Sequence, residues 1–180
     1  MIRALAAFLL SLITISADAQ VVSNGTTAPG FVRLFSNGVS SGNGADITED
    51  TLSTCVYTIP ANQLANVGDT LHIVAGGTFA GSTDVKTARV RLGGVTVASF
   101  VGSTAGATAW FMQADVIKTA AGAQMTNTFS FALNQTSFVL GGATALTDTA
   151  TIPLLVTGIN ATNSVAGSIT CRYLTVDFVP

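Results

Sequence analysis

The chain has 180 residues and a net charge of −2, and only 9% of its residues are charged whereas 48% are hydrophobic. That length suits one domain. Seven lysines and arginines are too few to form the phosphate-neutralising patch that nucleic-acid binding requires, so we expect no nucleic-acid partner. Beyond the N-terminus no apolar run approaches the ~20 residues of a membrane-spanning helix, so no membrane partner is expected once a leader is removed.

Residues 1–19 have the features of a secretory signal peptide. Arg3 supplies a positive charge, residues 4–15 are mostly apolar, and Ala17-Asp18-Ala19 fits the small residues before a cleavage site. We expect cleavage after Ala19, with an uncleaved N-terminal anchor or a helix buried in an assembly as the alternatives. The protein is therefore predicted to be exported, to the periplasm, the extracellular space or a virion surface.

The next segment, residues 20–47, is rich in Ser, Asn, Gly and Thr and contains one short apolar run, Phe31–Phe35. This composition predicts a flexible N-terminal arm that carries one edge strand.

Residues 48–180 show repeated period-2 alternation of apolar and polar residues, which is typical of half-buried antiparallel strands. In the run that begins at Thr87, for example, Ala88, Val90 and Leu92 alternate with Arg89 and Arg91. With no extended helical pattern, eight or so such strands predict an all-β antiparallel fold, either a β-sandwich or a jelly roll. The predicted strands are 51–59, 70–79, 87–92, 95–101, 109–118, 125–133, 151–158 and 168–179.

The two cysteines, Cys55 and Cys171, make an even count in a chain predicted to reach an oxidising compartment. If the first and last core strands pair, the two sulfurs meet across the ladder as a disulfide; two buried free thiols are the alternative. Two distant cysteines and one histidine do not make a zinc set, so no metal site is expected.

The chain offers little that resembles a catalytic set, and we predict neither enzymatic activity nor a cofactor. The sole histidine, His72, is more simply a surface or interface residue than the base of a catalytic triad. The carboxylates that an acid–base pair or a calcium loop would need are explained as turn and surface residues. These are Asp46, Glu49, Asp50, Asp69, Asp84, Asp115, Asp148 and Asp177.

Three aromatic residues are candidates for facing a ligand such as a sugar ring: Trp110, Tyr57 and Tyr173. A lone tryptophan in an alternating strand is more often part of the core, so Trp110 has both interpretations.

The stretch from Thr48 to Gly94 carries the most specific pattern in the chain. Glu49-Asp50-Thr51-Leu52 precedes a strand that ends in Tyr57-Thr58-Ile59-Pro60-Ala61-Asn62, and Gly68-Asp69, Leu71-His72-Ile73, Lys86–Val90 and Gly93-Gly94 follow. This pattern resembles a TNF-like jelly-roll module of tailed-bacteriophage tail, fibre and head-decoration proteins.

The resemblance implies an eight-stranded jelly roll that often forms homotrimers and has no catalytic residues. A signal peptide and a disulfide are departures from such proteins, and fit a prophage-derived exported protein, a virus with an unusual assembly route or a bacterial surface protein. We therefore expect a non-enzymatic structural protein that self-associates through weakly charged faces and presents loops for attachment. The alternative is a secreted carbohydrate-binding or adhesin module with a cell-surface glycan as its partner.

Overall fold

The computed structural model describes residues 22–23, 26–27, 30–44, 47–104, 107–132, 135–162 and 166–180. The predicted signal peptide and its cleavage site lie outside these residues. Within the described part of the chain, no helix is long and apolar enough to cross a membrane.

The described residues form β-strands and no helix. In chain order the strands are β1 (Val22–Ser23), β2 (Thr26–Thr27), β3 (Val32–Asn37), β4 (Ser41–Gly42), β5 (Asp50–Ile59), β6 (Thr70–Phe79), β7 (Ser82–Leu92), β8 (Val95–Thr104), β9 (Thr108–Ala120), β10 (Ala123–Ala132), β11 (Gln135–Thr144), β12 (Ile152–Asn160) and β13 (Ile169–Val179).

Eleven of these strands build two antiparallel sheets that pack face to face. The larger sheet has seven strands in the order β11-β10-β9-β6-β13-β3, with β4 also paired to β13, and the smaller has four in the order β5-β12-β7-β8. The short strands β1 and β2 pair with each other. The prediction of an all-β antiparallel sandwich is therefore confirmed.

The predicted number of eight strands is wrong, because the larger sheet contains three more. The strand β11 was missed since Gly141-Gly142 interrupts its alternation and indicates a loop, yet its backbone pairs with β10 through Thr144. The segment predicted as a flexible arm with one edge strand contributes that strand as β3 and a second short strand, β4, and both pair with β13 at the edge of the larger sheet. Residues 32–42 therefore extend the sandwich.

Alternate residues of both sheets fill the core between them. On β6 the inward side chains are Leu71, Ile73 and Phe79, and each is at most 1% exposed. The facing strands of both sheets supply the remaining large buried side chains, which include Leu52, Ile59, Leu92, Trp110, Met112, Leu154 and Ile169. Burial of this kind removes apolar surface from water and is the main favourable term in folding.

A disulfide joins Cys55 on β5 to Cys171 on β13, with the two Cα atoms 6.4 Å apart. These strands do not pair with each other: β5 lies in the smaller sheet and β13 in the larger. The expectation that the sulfurs meet across one ladder is therefore wrong, although the bond itself is present. Both side chains point into the core, so the bond ties the two layers together.

An ionic cluster stabilises the outer face of the smaller sheet. The Glu49 carboxylate accepts hydrogen bonds from Arg89 and Arg91 on β7 and from the hydroxyl of Thr157 on β12. The bonds from Arg91, with those from Thr157 and the charge of Arg89, lower the pKa of Glu49 to about 2. This carboxylate therefore links the segment before β5 to β7 and β12, the two central strands of the smaller sheet.

Candidate functional site

The carboxylates considered as catalytic candidates are committed to structural partners. Asp69 accepts a hydrogen bond from the backbone N–H of Asn66, and Asp50 from that of Gly44. Asp84 accepts one from the hydroxyl of Thr162. These contacts are the turn and surface roles that the sequence predicted for these acids.

Another carboxylate, that of Asp148, belongs to an ion pair at one end of the sandwich. Asp148 Oδ2 lies 2.8 Å from Lys118 Nζ, and the hydrogen bond from this lysine lowers the pKa of Asp148. The same ammonium donates to the carbonyls of Leu64 and Ala65. Lys118 thus holds two loops at one end of the sandwich, which is a structural role.

A polar row crosses the outer face of the larger sheet near one end. His72 Nδ1 lies 2.6 Å from Asp115 Oδ1, and Arg33 pairs with Asp177 on the adjacent strands. The exposed ring of Phe31 packs edge-on against the imidazole.

Among the described residues, no group of three or more His, Cys, Asp or Glu side chains is placed to hold a metal ion. For the calcium candidate, Asp46 lies outside the described residues, and Glu49 is already bound by two arginines.

The outer face of the larger sheet has a different character at its other end, where β13 contains a bulge. Cys171 pairs with Gly77 and Tyr173 pairs with the adjacent Gly76, so Arg172 is an extra residue with no partner on β6. A bulge interrupts the alternation of faces. Cys171 and Leu174 are fully buried, while Arg172 is exposed and Tyr173 is half-buried. The bulge therefore presents a cation and an aromatic ring side by side on the outer face.

The bulge borders an apolar groove of about 470 Å³, which we call the aromatic groove. It is lined by Gly77, Thr78, Ala109, Trp110, Phe111, Phe131, Arg172 and Tyr173. Register places the aromatic rings side by side: Tyr173 is opposite Gly76, Gly76 is opposite Phe111, and Phe111 is opposite Phe131. Phe131 is 46% exposed. Four adjacent strands thus build one aromatic surface.

The two glycines of β6 make room for this arrangement. A Cβ atom on Gly76 would lie 2.5 Å from Cε1 and Cζ of Tyr173, so the tyrosine ring lies across the bare backbone of that residue. A Cβ on Gly77 would collide with the carbonyl of Thr170 and come within 2.7 Å of Trp110 Cζ2. Burial raises the pKa of the Tyr173 phenol, which stays a neutral hydrogen-bond donor at physiological pH.

Trp110 belongs to the core beneath the groove. Its side chain is 2% exposed, lies on the inward face of β9 with Met112 and packs near Phe79, with ring centroids 6.2 Å apart, so the residue borders the groove from within the sheet. Its indole Nε1 is buried and has no hydrogen-bond partner among the described residues. Leaving such a donor unpaired costs about 1–3 kcal/mol.

Of the three aromatic candidates, Tyr173 and Trp110 come together and Tyr57 does not. Tyr57 stacks on Phe35 with ring centroids 4.9 Å apart, and this pair packs against the core between β5 and β3. The sequence analysis missed Phe111, Phe131 and Arg172. Alternation put Phe111 on the face of β9 opposite Trp110, and it grouped Phe129 with Phe131 on one face of β10 without indicating that this face is the outer one. The pairing of β9 with β10 was needed to make Phe111 and Phe131 neighbours.

No protein-family model and no curated protein sequence matches this chain. Among solved structures, it is similar to the CBM2 module of the evolved Dit of Lactobacillus casei phage J-1, described for strain BL23. The two are 11% identical, the match covers 85% of this chain and 81% of the other, and the TM-score is 0.39. At that TM-score the likeness carries no functional information.

Proposed function

We propose that this protein is a non-enzymatic attachment protein of an exported or virion-type assembly, and that it binds carbohydrate through the aromatic groove. The observation that carries this proposal is the row of three aromatic rings formed by Phe131, Phe111 and Tyr173, in which the tyrosine ring lies over the backbone of Gly76. The apolar faces of a sugar ring stack on such aromatic surfaces, while nearby hydroxyls and N–H groups bind its oxygens.

A rigid frame supports this use of the groove. Cys171 directly precedes the bulge and is bonded to the opposite sheet, so the backbone that carries Arg172 and Tyr173 is tethered on its inner side. A preorganised site loses less conformational entropy when it binds. The strand order also supports a jelly roll. Apart from the β7-β8 pair, the neighbours in the runs β5-β12-β7-β8 and β9-β6-β13-β3 are not consecutive in the chain, and β10 with β11 forms an added hairpin.

The test is binding of the mature protein to immobilised neutral and acidic glycans, with Phe131→Ser as the groove variant. Phe131 is half exposed, so its loss leaves the core intact, and we expect binding to weaken about fivefold, the equivalent of about 1 kcal/mol of stacking. Phe31→Ser is the matched control, because Phe31 is an even more exposed phenylalanine, at 65%, and lies beside His72, away from the groove. If no glycan binds, or both variants bind like the wild type, the proposal is wrong.

A second candidate function is that of a structural subunit that associates with copies of itself. It is favoured by β8, a ten-residue edge strand of the smaller sheet with Val95 and Val101 exposed. A long apolar edge strand has unpaired backbone N–H and C=O groups, which can pair with a strand of another chain. We expect Val101→Lys to lower the mass measured by light scattering, whereas Thr51→Lys on the opposite edge leaves it unchanged. A wild-type monomer at tens of micromolar would exclude this function.

A further inference from the structure

The charge of the aromatic groove is unusual because its arginine is free. The described residues contain six lysines and arginines, and five of them are engaged within the chain. Arg33, Arg89, Arg91 and Lys118 are in ion pairs, and Lys86 donates to the Ser82 hydroxyl and the Asp84 carbonyl. Arg172 has no hydrogen-bond or ion-pair partner among the described residues, and its side chain lines the groove.

Within the described part of the chain, no carboxylate pairs with this guanidinium. The nearest carboxylates on the same sheet face belong to the row that contains His72, four residues along β6 from Gly76. Four residues of a strand span about 13 Å, which exceeds the ~8 Å Debye length at physiological salt. Both carboxylates of that row, Asp115 and Asp177, are already paired. The groove thus combines an apolar aromatic surface with one unneutralised positive charge.

We propose that the groove selects a carboxylate-bearing sugar, a uronic acid unit, over its neutral counterpart; this inference depends on the proposed carbohydrate-binding function. The sugar ring stacks against Phe111 and Phe131, and its carboxylate accepts two parallel hydrogen bonds from Arg172. Arginine suits this task because its planar fork matches the two oxygens of a carboxylate.

One further donor fits the same ligand. The phenol of Tyr173 is half-buried beside the groove, is protonated at neutral pH and is available to donate to an oxygen of the sugar. Together with the guanidinium of Arg172, it favours a ligand that is rich in oxygens and negatively charged.

The experiment compares three acidic oligosaccharides, built from galacturonate, glucuronate and mannuronate, with the fully methyl-esterified form of each. Esterification removes the charge and keeps the ring, so the comparison isolates the carboxylate. Binding is measured by calorimetry on the mature disulfide-bonded protein. We expect at least one acid to bind about five- to tenfold more tightly than its ester, with a preference that falls as salt is raised.

Two variants assign the effect to the guanidinium. Arg172→Gln is expected to bind acid and ester equally, and Arg172→Lys to keep part of the preference, because it retains the charge and loses the fork. Arg33→Gln removes the same charge from the same sheet face away from the groove, and is expected to keep the full preference. Folding of each variant is checked by circular dichroism and by the absence of free thiols.

The outcomes separate this inference from the function on which it depends. Equal binding of acids and esters, binding of neutral glycans alone, or an unchanged preference in Arg172→Gln overturns the selection for a carboxylate and leaves carbohydrate binding intact. If neither this panel nor the neutral glycans bind, both the inference and the proposed function are wrong.

Discussion

The Glu49 cluster makes a quantitative prediction about stability and pH. One carboxylate binds two guanidinium groups and a threonine hydroxyl, and its pKa falls from 4.5 to about 2 in the folded protein. A carboxyl whose folded pKa is lowered stabilises the fold above its unfolded pKa, and that contribution is lost as pH falls through the folded value. The affected window therefore runs from about pH 5 down to about pH 2.

The magnitude follows from the size of the shift. At about 1.4 kcal/mol per pH unit, a shift of this size corresponds to about 3 kcal/mol. Because the cluster lies on the outer face of the sheet and water reaches it, screening reduces this contribution to about 1–2 kcal/mol. The Glu49→Gln variant removes the titrating group, so it should be less stable than the wild type by about this amount at pH 7 and almost equally stable at pH 2.

Urea unfolding of both proteins across this pH range measures the effect. The difference between their free energies of unfolding isolates Glu49, since the other carboxyls titrate in both proteins. A difference that stays constant from pH 7 to pH 2 would refute the reasoning. So would a loss of the difference above pH 6, because that loss would have to come from another group.

The disulfide joins cysteines that are 116 residues apart, and the chain-entropy model gives a stabilisation of about 5 kcal/mol for a loop of that length. The free energy of unfolding of the Cys55→Ala/Cys171→Ala double variant, measured in urea, should therefore be lower by about this amount. A decrease under about 1 kcal/mol contradicts the model. Gly76→Ala should displace the ring of Tyr173 and expose it; an absorbance titration should then show a lower phenol pKa than in the wild type, and an unchanged titration would argue against the ring lying over this glycine. Trp110 is 2% exposed, so its fluorescence should resist acrylamide quenching, and a readily quenched signal would contradict its burial.

Much of the fold could be predicted from local patterns. The prediction of 70–79 matches β6 at both ends, and those near 51–59 and 168–179 match β5 and β13 within one residue. Alternation of side chains is a property of each strand alone, so it is visible without knowing the partner. β11 was missed because its pairing with β10, rather than its own composition, makes it a strand.

The candidate site could be predicted only in part. Tyr173 and Trp110 were singled out as aromatic residues, but nothing in the sequence joined Tyr173 to Phe111 or separated Tyr57 from Tyr173. Arg172 follows Cys171 in a run that looks regular, and strict alternation cannot put Arg172 and Tyr173 on one face. The bulge does so, and it depends on the pairing of β13 with β6, which is distant in the chain.

The sequence by itself determined the fold class, since short alternating strands, few charges and two cysteines indicate a β-sandwich. Side chains alternate between the two faces of a strand, so the pattern of burial is visible in each strand's own residues. The tertiary structure alone decided which sheet each strand joins, that the disulfide crosses between layers, and that a free arginine stands beside three aromatic rings. These features depend on register between strands far apart in the chain, and register is set by how whole faces pack together.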